Sequence, residues 1–277
     1  MAVSLASPLG FVARANIQKL RLARISRQLG VGRTFPVKYS KSGAHPLYIV
    51  GTGASVLDFD FDAFSDETTT VALNDAIFLS DNFMFHSFEP SRNEAWRPVI
   101  EARIRESLLR GKLEVLSNIS RHHLLNEKPN FFHEFPERVN LWSSTTASKA
   151  VFPMQLDWYL SSSTGIDTPG PDPNFSLGRL LVRAIKLGYR DIRLVGIDLV
   201  TPEHFWHFSD EFRWMRQQHS LFADYTRLGE HKINSKKREW PALQFIQQLQ
   251  DLTSSQKVEI RVFSSSPLSE HFRSWDK

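Results

Sequence analysis

The sequence predicts an α/β fold in which helices cover both faces of a mostly parallel β-sheet. Apolar runs of strand length lie at 47–50, 69–73 and 191–195, and each is followed by glycine, asparagine or aspartate residues typical of turns. Residues 176–187 show amphipathic helical spacing, and Gly188 follows as a helix C-cap. Strands that alternate with helices along a chain form parallel sheets, because each helix returns the chain to the same edge.

The remaining elements complete this alternation. Further strands are predicted at 83–85, 113–116 and 258–263, and further helices at 93–109, at 240–252 and from Pro267. Residues 119–173 contain many prolines and are expected to form an irregular insert or lid. We therefore expect a basic N-terminal arm over 1–44 and a single domain over 45–277 that contains this insert.

The composition excludes several protein classes. The 277 residues include no cysteine, which excludes a disulfide scaffold, cysteine-ligated zinc and a cysteine nucleophile. No stretch reaches the ~20 apolar residues that span a bilayer. At the N-terminus the basic residues follow the apolar ones, whereas a secretory signal has them first. We expect a cytoplasmic protein.

The positive charge is concentrated in the arm. Residues 1–44 contain eight of the 34 basic residues and no acid, so the rest has 26 basic against 30 acidic residues. Such an arm suits an anionic membrane surface or nucleic acid. The acidic body, without an interleaved aromatic and basic stripe, argues against nucleic acid. The apolar residues of the arm form two separate helical stripes. One contains Ala13, Ile17 and Leu20, and the other contains Leu22, Ile25 and Leu29. A membrane-bound arm and an arm that is solvated or packed on the body are therefore both open.

A glycine-rich turn follows the first predicted strand. Its residues are Gly51, Thr52, Gly53, Ala54 and Ser55. Small residues at the carboxyl end of a parallel strand let the backbone approach a phosphate or ribose, as in Rossmann-like folds. The third glycine of a dinucleotide fingerprint and the Lys-Ser/Thr of a P-loop are both missing. A tight strand-to-helix turn explains the same residues without a ligand.

Asn74 follows the second predicted strand at the same sheet edge. Its amide could bind a nucleoside through paired donors and acceptors, or could simply end the strand in a turn.

Two other patterns suggest metal or acid–base chemistry. The three aspartates at 58, 60 and 62 resemble a metal-chelating motif, but the phenylalanines between them need burial, and acids at a helix start also have a dipole explanation. We therefore expect no metal site. Histidines cluster late in the chain, without a His-Glu-x-x-His pattern, at His204, His207, His219 and His231. His231 lies in a polar segment and is either solvated or a general base.

Several blocks in the same order resemble the bacterial CMP-sialic acid-dependent sialyltransferases (glycosyltransferase family 42), and more distantly the CMP-Kdo transferases. The blocks are Ile49–Ser55, Leu73-Asn74, Ser176, Leu187–Asp198, His231, Ala242–Phe245 and Ser266–Leu268. The resemblance implies a Rossmann-like, GT-A-like domain with a lid. This domain would use a CMP-sugar donor, sialic acid or Kdo linked to CMP, and would need neither a metal nor another cofactor. The implied acceptor is a bacterial surface glycan or glycolipid, at the cytoplasmic face of the inner membrane, and the enzyme could be a homo-oligomer.

The resemblance also implies roles for particular residues. Gly51, Thr52, Gly53 and Ser55 would line the CMP site, and so would Asp198, the last residue of the block Leu187–Asp198. Asn74 would contact the nucleotide, Ser176 the cytidine or the sugar carboxylate, and His231 would be the general base.

This sequence departs from the family pattern at three places. Thr52 stands where the family has asparagine, and His86 or Ser87 stands where it has a ribose-binding asparagine. The two tyrosines that hold the leaving phosphate are absent, which would pass that role to His204, His207 or a basic residue. With these departures, sialic acid and Kdo are both candidate sugars.

Two other functions remain open. An S-adenosylmethionine-dependent methyltransferase also begins with a strand and a glycine turn, and Asp75 could bind its ribose. The acid usual before that turn is missing, since residues 48–50 are apolar. A non-catalytic nucleotide-binding protein of the same fold is the other alternative.

Overall fold

A computed structural model describes most of the chain. The described residues are 8–32, 45–64, 68–89, 96–111, 113–118, 129–147, 149–161, 168–201, 203–220 and 240–276. The chain divides into two compact units. The first unit contains Met1–Ser42 and Met84–Tyr189, and the second contains Gly43–Phe83 and Arg190–Lys277.

Helices and strands alternate along the described residues. The helices are α1 (Pro8–Leu29), α2 (Arg97–Leu109), α3 (Phe131–Glu134), α4 (Phe152–Ser161), α5 (Ser176–Lys186), α6 (Arg213–Ser220) and α7 (Ala242–Thr253). The strands are β1 (Leu47–Val50), β2 (Thr69–Leu73), β3 (Phe85–Phe88), β4 (Glu114–Asn118), β5 (Val139–Trp142), β6 (Ser144–Thr146), β7 (Gly170–Asp172), β8 (Asp191–Val195) and β9 (Glu259–Val262).

The second unit is built on four parallel strands in the order β2, β1, β8, β9. Leu47 lies opposite Thr69 on one side and Ile192 on the other. Every residue of β2 is buried. Helix α7 buries one apolar stripe that includes Phe245 and Leu249. Strands buried on both faces read as continuous apolar runs, which is why the sequence reveals them.

The first unit contains the parallel strands β3, β4 and β5, together with a separate parallel pair, β6 and β7. The chain after α1 extends this ladder, because the Gly32 amide donates to the Val139 carbonyl and the Leu141 amide donates to the Gly32 carbonyl. Helix α1 packs against this unit through Phe11, which makes an edge-to-face contact with Trp158 of α4.

The predicted α/β fold with parallel strands is confirmed. Strands β1, β2 and β8 have the predicted bounds, whereas β3 begins at Phe85, the last residue of its predicted span. The residues from 129 to 172, expected to be irregular, contain α3, α4 and three short strands, because local apolar spacing is too brief there to reveal them. The C-terminal helix is a single 3-10 turn, Pro267–Glu270.

The predicted boundary between arm and domain at residue 44 lies outside the described residues and stays a prediction. Among the described helices, none combines the length and the apolar character needed to cross a bilayer.

Candidate nucleotide-binding site

The glycine turn of the second unit lies against the segment that follows β8. The Gly53 amide donates to the Gly196 carbonyl at 2.7 Å. A Cβ on Gly51 would lie 2.4 Å from Ile197 Cδ1 and 2.6 Å from the Gly196 oxygen, and a Cβ on Gly53 would lie 2.5 Å from Asp198 Cγ. Gly51 is therefore required by the close approach of the Gly196 backbone and Gly53 by the packing of the Asp198 side chain, and a ligand need not be invoked to explain them.

A buried carboxylate fixes this turn. Asp198 is 6% exposed. Its Oδ2 accepts from the Ser55 amide at 2.7 Å, and its Oδ1 accepts from the Ser55 hydroxyl at 2.5 Å and the Ser266 hydroxyl at 3.1 Å. These neutral donors hold the charge and tie three segments together. The position favours a role in shaping the turn, and direct contact of Asp198 or Ser55 with a nucleotide stays a prediction.

Thr52 is paired with His204, the first of the two histidines expected to replace the missing tyrosines. Thr52 Oγ1 and His204 Nδ1 are 2.9 Å apart, and the Phe205 amide donates to the Thr52 carbonyl at 3.0 Å. The His204 ring stacks on Trp206, with centroids 4.3 Å apart and planes 15° apart. The His204 amide donates to His207 Nδ1 at 2.9 Å. The structure thus places the Thr52 hydroxyl and the His204 imidazole together at the end of β1, and His207 follows in the 3-10 turn Phe205–His207 that His204 caps.

The bond to His207 also sets its tautomer. A ring nitrogen that accepts a hydrogen bond carries no proton, so the proton of the neutral His207 ring is on Nε2. His207 is therefore oriented as an Nε2–H donor.

Asn74 is exposed and begins the 3-10 turn Asn74–Phe78 directly after β2. Its φ of 51° lies in the left-handed region, which asparagine tolerates better than most residues. The pairing of Val50 with Ala72 brings Asn74 to the same strand edge as the glycine turn. The geometry explains Asn74 as a turn residue, and its contact with a nucleotide stays a prediction.

The other predicted residues belong to the first unit or lie outside the described residues. His86 and Ser87 are on β3 and are 0% and 3% exposed. Ser176 is the first residue of α5. His231 lies outside the described residues.

Ser176 leads to a buried charge cluster that the sequence analysis missed. Arg179 is 2% exposed, and its Nη2 donates to Ser176 Oγ at 3.3 Å. The guanidinium forms ion pairs with Glu89 and, at 3.2 Å, with Asp172. Burial alone would lower the pKa of Arg179, but the two carboxylates outweigh it and raise that pKa.

The cluster continues into the neighbouring strands. Ser144 donates to Asp172 Oδ2 at 2.8 Å, and Asn118 Nδ2 donates to Ser144 Oγ at 3.0 Å. It ties the start of α5 to the ends of β3, β4 and β7. Helical spacing gave no signal for this cluster, because Arg179 lies opposite the apolar stripe of α5, on a face that the sequence predicts to be solvated and that the fold buries.

The aspartates at 58–62 have a structural explanation. Asp60 Oδ1 accepts from the Asp62 amide at 2.9 Å and caps the 3-10 turn Phe61–Ala63. Phe59 packs edge-to-face on Phe61, with ring centroids 5.2 Å apart. Within the described ranges, no three histidine, aspartate or glutamate side chains are grouped so that they could hold a metal ion.

Comparison with known proteins yields structural similarity only. No protein-family model matches the chain, and no curated protein sequence matches it. The solved structures that are similar include the sialyltransferase CstII from Campylobacter jejuni in complex with the substrate analogue CMP-3FNeuAc (17% identity, TM-score 0.48, 83% of this chain and 86% of that chain). Another is the monofunctional alpha-2,3-sialyltransferase Cst-I from Campylobacter jejuni (18% identity, TM-score 0.48, 83% of this chain and 79% of that chain). These are enzymes of the class that the sequence motifs resemble, but at this identity and TM-score the function must be inferred from the residues of this chain.

Proposed function

We propose that the chain is a glycosyltransferase that moves a sugar acid, sialic acid or Kdo, from a CMP-activated donor to a bacterial surface glycan. The observation that carries this proposal is the pairing of Thr52 with His204 beside the glycine turn. Ligands of open parallel sheets bind at the carboxyl ends of the strands, and β1 ends there. Hydroxyl and imidazole groups at that edge suit a phosphate.

The phosphate is the leaving group of such a donor. As the bond between the sugar C2 and the phosphate oxygen breaks, CMP departs with the electron pair and negative charge grows on that oxygen. Hydrogen-bond donors fixed in advance stabilise this charge. The pair formed by Thr52 and His204 would supply one donor, since its other proton lies in the bond between them, and the Nε2–H of His207 would supply a second, in the role that the resemblance gives to tyrosines.

The acceptor hydroxyl needs a base, and the resemblance assigns this role to His231. A neutral imidazole, with an unperturbed pKa near ~6.5, takes the hydroxyl proton while the oxygen attacks C2. The oxocarbenium-like centre lies beside the donor's own carboxylate, so the reaction does not require a metal. Turnover should therefore persist in EDTA, and a loss that Mg²⁺ or Mn²⁺ restores would contradict this part of the proposal.

The identity of the nucleotide that the chain binds can be tested by its thermal unfolding in the presence of CMP, CDP, UDP or S-adenosylhomocysteine. A ligand that binds only the folded state stabilises it by RT ln(1 + [L]/Kd), about 2.7 kcal/mol at a hundredfold excess over Kd. We expect the largest shift with CMP. A shift with S-adenosylhomocysteine alone would establish the methyltransferase alternative instead.

The catalytic roles of the three histidines can be distinguished by the kinetics of single variants. His231→Ala should keep CMP affinity and lower turnover by roughly 10²–10⁴-fold, the worth of a positioned general base, and the acid limb of the rate profile should disappear. His204→Ala and His207→Ala should slow donor cleavage and keep that limb. A nearly active His231→Ala with an inactive His204→Ala would refute the assignment of the base. Tight CMP binding without any turnover would indicate a non-catalytic protein.

The acceptor would be a glycan or glycolipid assembled at the cytoplasmic face of the inner membrane. That places the enzyme in the cytoplasm with peripheral access to the lipid surface, as a monomer or a homo-oligomer. Liposome flotation and light scattering of the purified chain test these two points.

A further inference from the structure

Helix α1 buries only one of its two apolar stripes. Leu22, Ile25 and Leu29 are 1%, 7% and 7% exposed and belong to the core of the first unit. Ile17 and Leu20, on the other stripe, are 65% and 73% exposed. Among the described residues, these are the two most exposed of the large hydrophobic side chains.

The exposed stripe changes character along the helix. Ala13, Ile17, Leu20, Arg24 and Arg27 follow one another at alternating steps of four and three residues, which keeps them on one face, and all five are exposed. We call these five residues the α1 stripe. Its first three residues are apolar and its last two are basic, and the whole helix contains five basic residues and no acid.

The charge decides which partner suits this face. A single exposed leucine is ordinary on a protein surface, but two neighbouring exposed apolar side chains on a helix whose five charged residues are all basic form an amphipathic element. An anionic lipid surface attracts the arginines and accepts the apolar side chains at the boundary between headgroups and acyl chains. An acidic protein would satisfy only the charge.

We propose that the α1 stripe docks the protein on anionic lipid bilayers. The opposite stripe is packed in the first unit, so docking would attach that unit to the surface through a fixed face instead of a free tail. The proposed function includes peripheral access to a lipid surface, and this inference names the residues that would make that contact; it does not depend on which sugar donor the chain uses.

The test is sedimentation of the full-length chain with vesicles of phosphatidylcholine alone and with phosphatidylglycerol added. We expect binding to the anionic vesicles that weakens as salt rises. The double variant Ile17→Ser/Leu20→Ser should lower the partition coefficient by about tenfold or more, because it removes the side chains that enter the lipid boundary. The double variant Arg24→Glu/Arg27→Glu should lower it by a similar factor and flatten the salt dependence.

Leu109→Ser is the matched control, because Leu109 of α2 is 63% exposed in the same unit but lies outside the α1 stripe. It should bind vesicles as the parent chain does. The proposal is overturned if Ile17→Ser/Leu20→Ser sediments like the parent. It is also overturned if the parent does not bind and these serines instead convert a dimer to a monomer in size-exclusion chromatography, which would make the stripe an interface between copies. Thermal unfolding of each variant verifies that the fold is retained.

Discussion

The two units stabilise buried carboxylates by different chemistry. In the second unit, Asp198 is held by two hydroxyls and a backbone amide, all neutral. In the first unit, Asp172 also accepts from the Asn174 amide at 2.6 Å and from the Ser144 hydroxyl, but in addition it shares the guanidinium of Arg179 with Glu89. A bond from a backbone amide fixes the path of the chain at both Asp172 and Asp198, whereas only the carboxylates of the first unit also depend on a buried cation to balance their charge. Loss of one group should therefore have different consequences in the two units.

The largest effect should come from Arg179→Met. It leaves two carboxylates without their cation, and breaking a buried pair costs about 3–5 kcal/mol of unfolding free energy. Urea denaturation measures this loss. Arg105→Met is the control, since Arg105 pairs with Glu134 at the surface, where such a pair is worth about 1 kcal/mol or less. Equal losses in the two variants would contradict the distinction between buried and exposed pairs.

The glycine turn should respond next. Gly53→Ala places a Cβ against the Asp198 carboxylate, and overpacking of this kind costs about 1–3 kcal/mol. Since the turn must move, CMP affinity should also fall by about tenfold if the nucleotide binds there. Equilibrium unfolding and calorimetric titration measure the two effects.

Gly32→Ala serves as its control in the first unit. The nearest atom to a Cβ there is Oδ1 of the Asn140 side chain, whose displacement would give up only its hydrogen bond to Glu114, so the cost should be smaller and CMP affinity unchanged. If Gly53→Ala binds CMP as the parent chain does, the nucleotide lies elsewhere.

Single hydroxyls provide a finer comparison. Ser144→Ala removes a donor to Asp172 and an acceptor for Asn118, and should cost about 2 kcal/mol. Ser266→Ala removes one of three donors to Asp198 and the acceptor of the Leu268 amide at 3.3 Å. Because Asp198 keeps two donors, the cost should be smaller, about 1 kcal/mol. Chemical denaturation measures the loss of unfolding free energy in both variants. A larger loss in Ser266→Ala than in Ser144→Ala would show that the hydrogen bonds around Asp198 depend on Ser266 more than their geometry implies.

The smallest effect concerns Glu101 of α2. Burial raises the pKa of Glu101, and Arg97 offsets part of this rise. A raised pKa means that the folded state binds the proton more tightly, so this group stabilises the fold at low pH, and its contribution declines as pH rises above about 4.5. Glu101→Gln should therefore be more stable than the parent at pH 7, by roughly 0.5 kcal/mol or less after screening by solvent, with a smaller gain at pH 3.5. Thermal unfolding at the two pH values measures the difference.

The local pattern of the sequence was enough for much of the fold. Strands β1, β2 and β8 and the helix beginning at Ser176 could be predicted because each is a short segment whose own apolar spacing defines it. The glycine turn was likewise visible, because only glycine permits the approach that the chain makes there. The elements between 129 and 172 were not visible, since several are only three or four residues long.

The contacts that shape the candidate site depended on the folded chain. Asp198 meets Ser55 across 143 residues and Ser266 across 68, and Arg179 meets Glu89 across 90. No local pattern encodes such pairs, because hydrogen bonds and ion pairs form between groups that folding brings together. The same holds for α1: helical spacing reveals two apolar stripes, but only packing against the first unit selects Leu22 and its neighbours for the core and leaves Ile17 and Leu20 exposed.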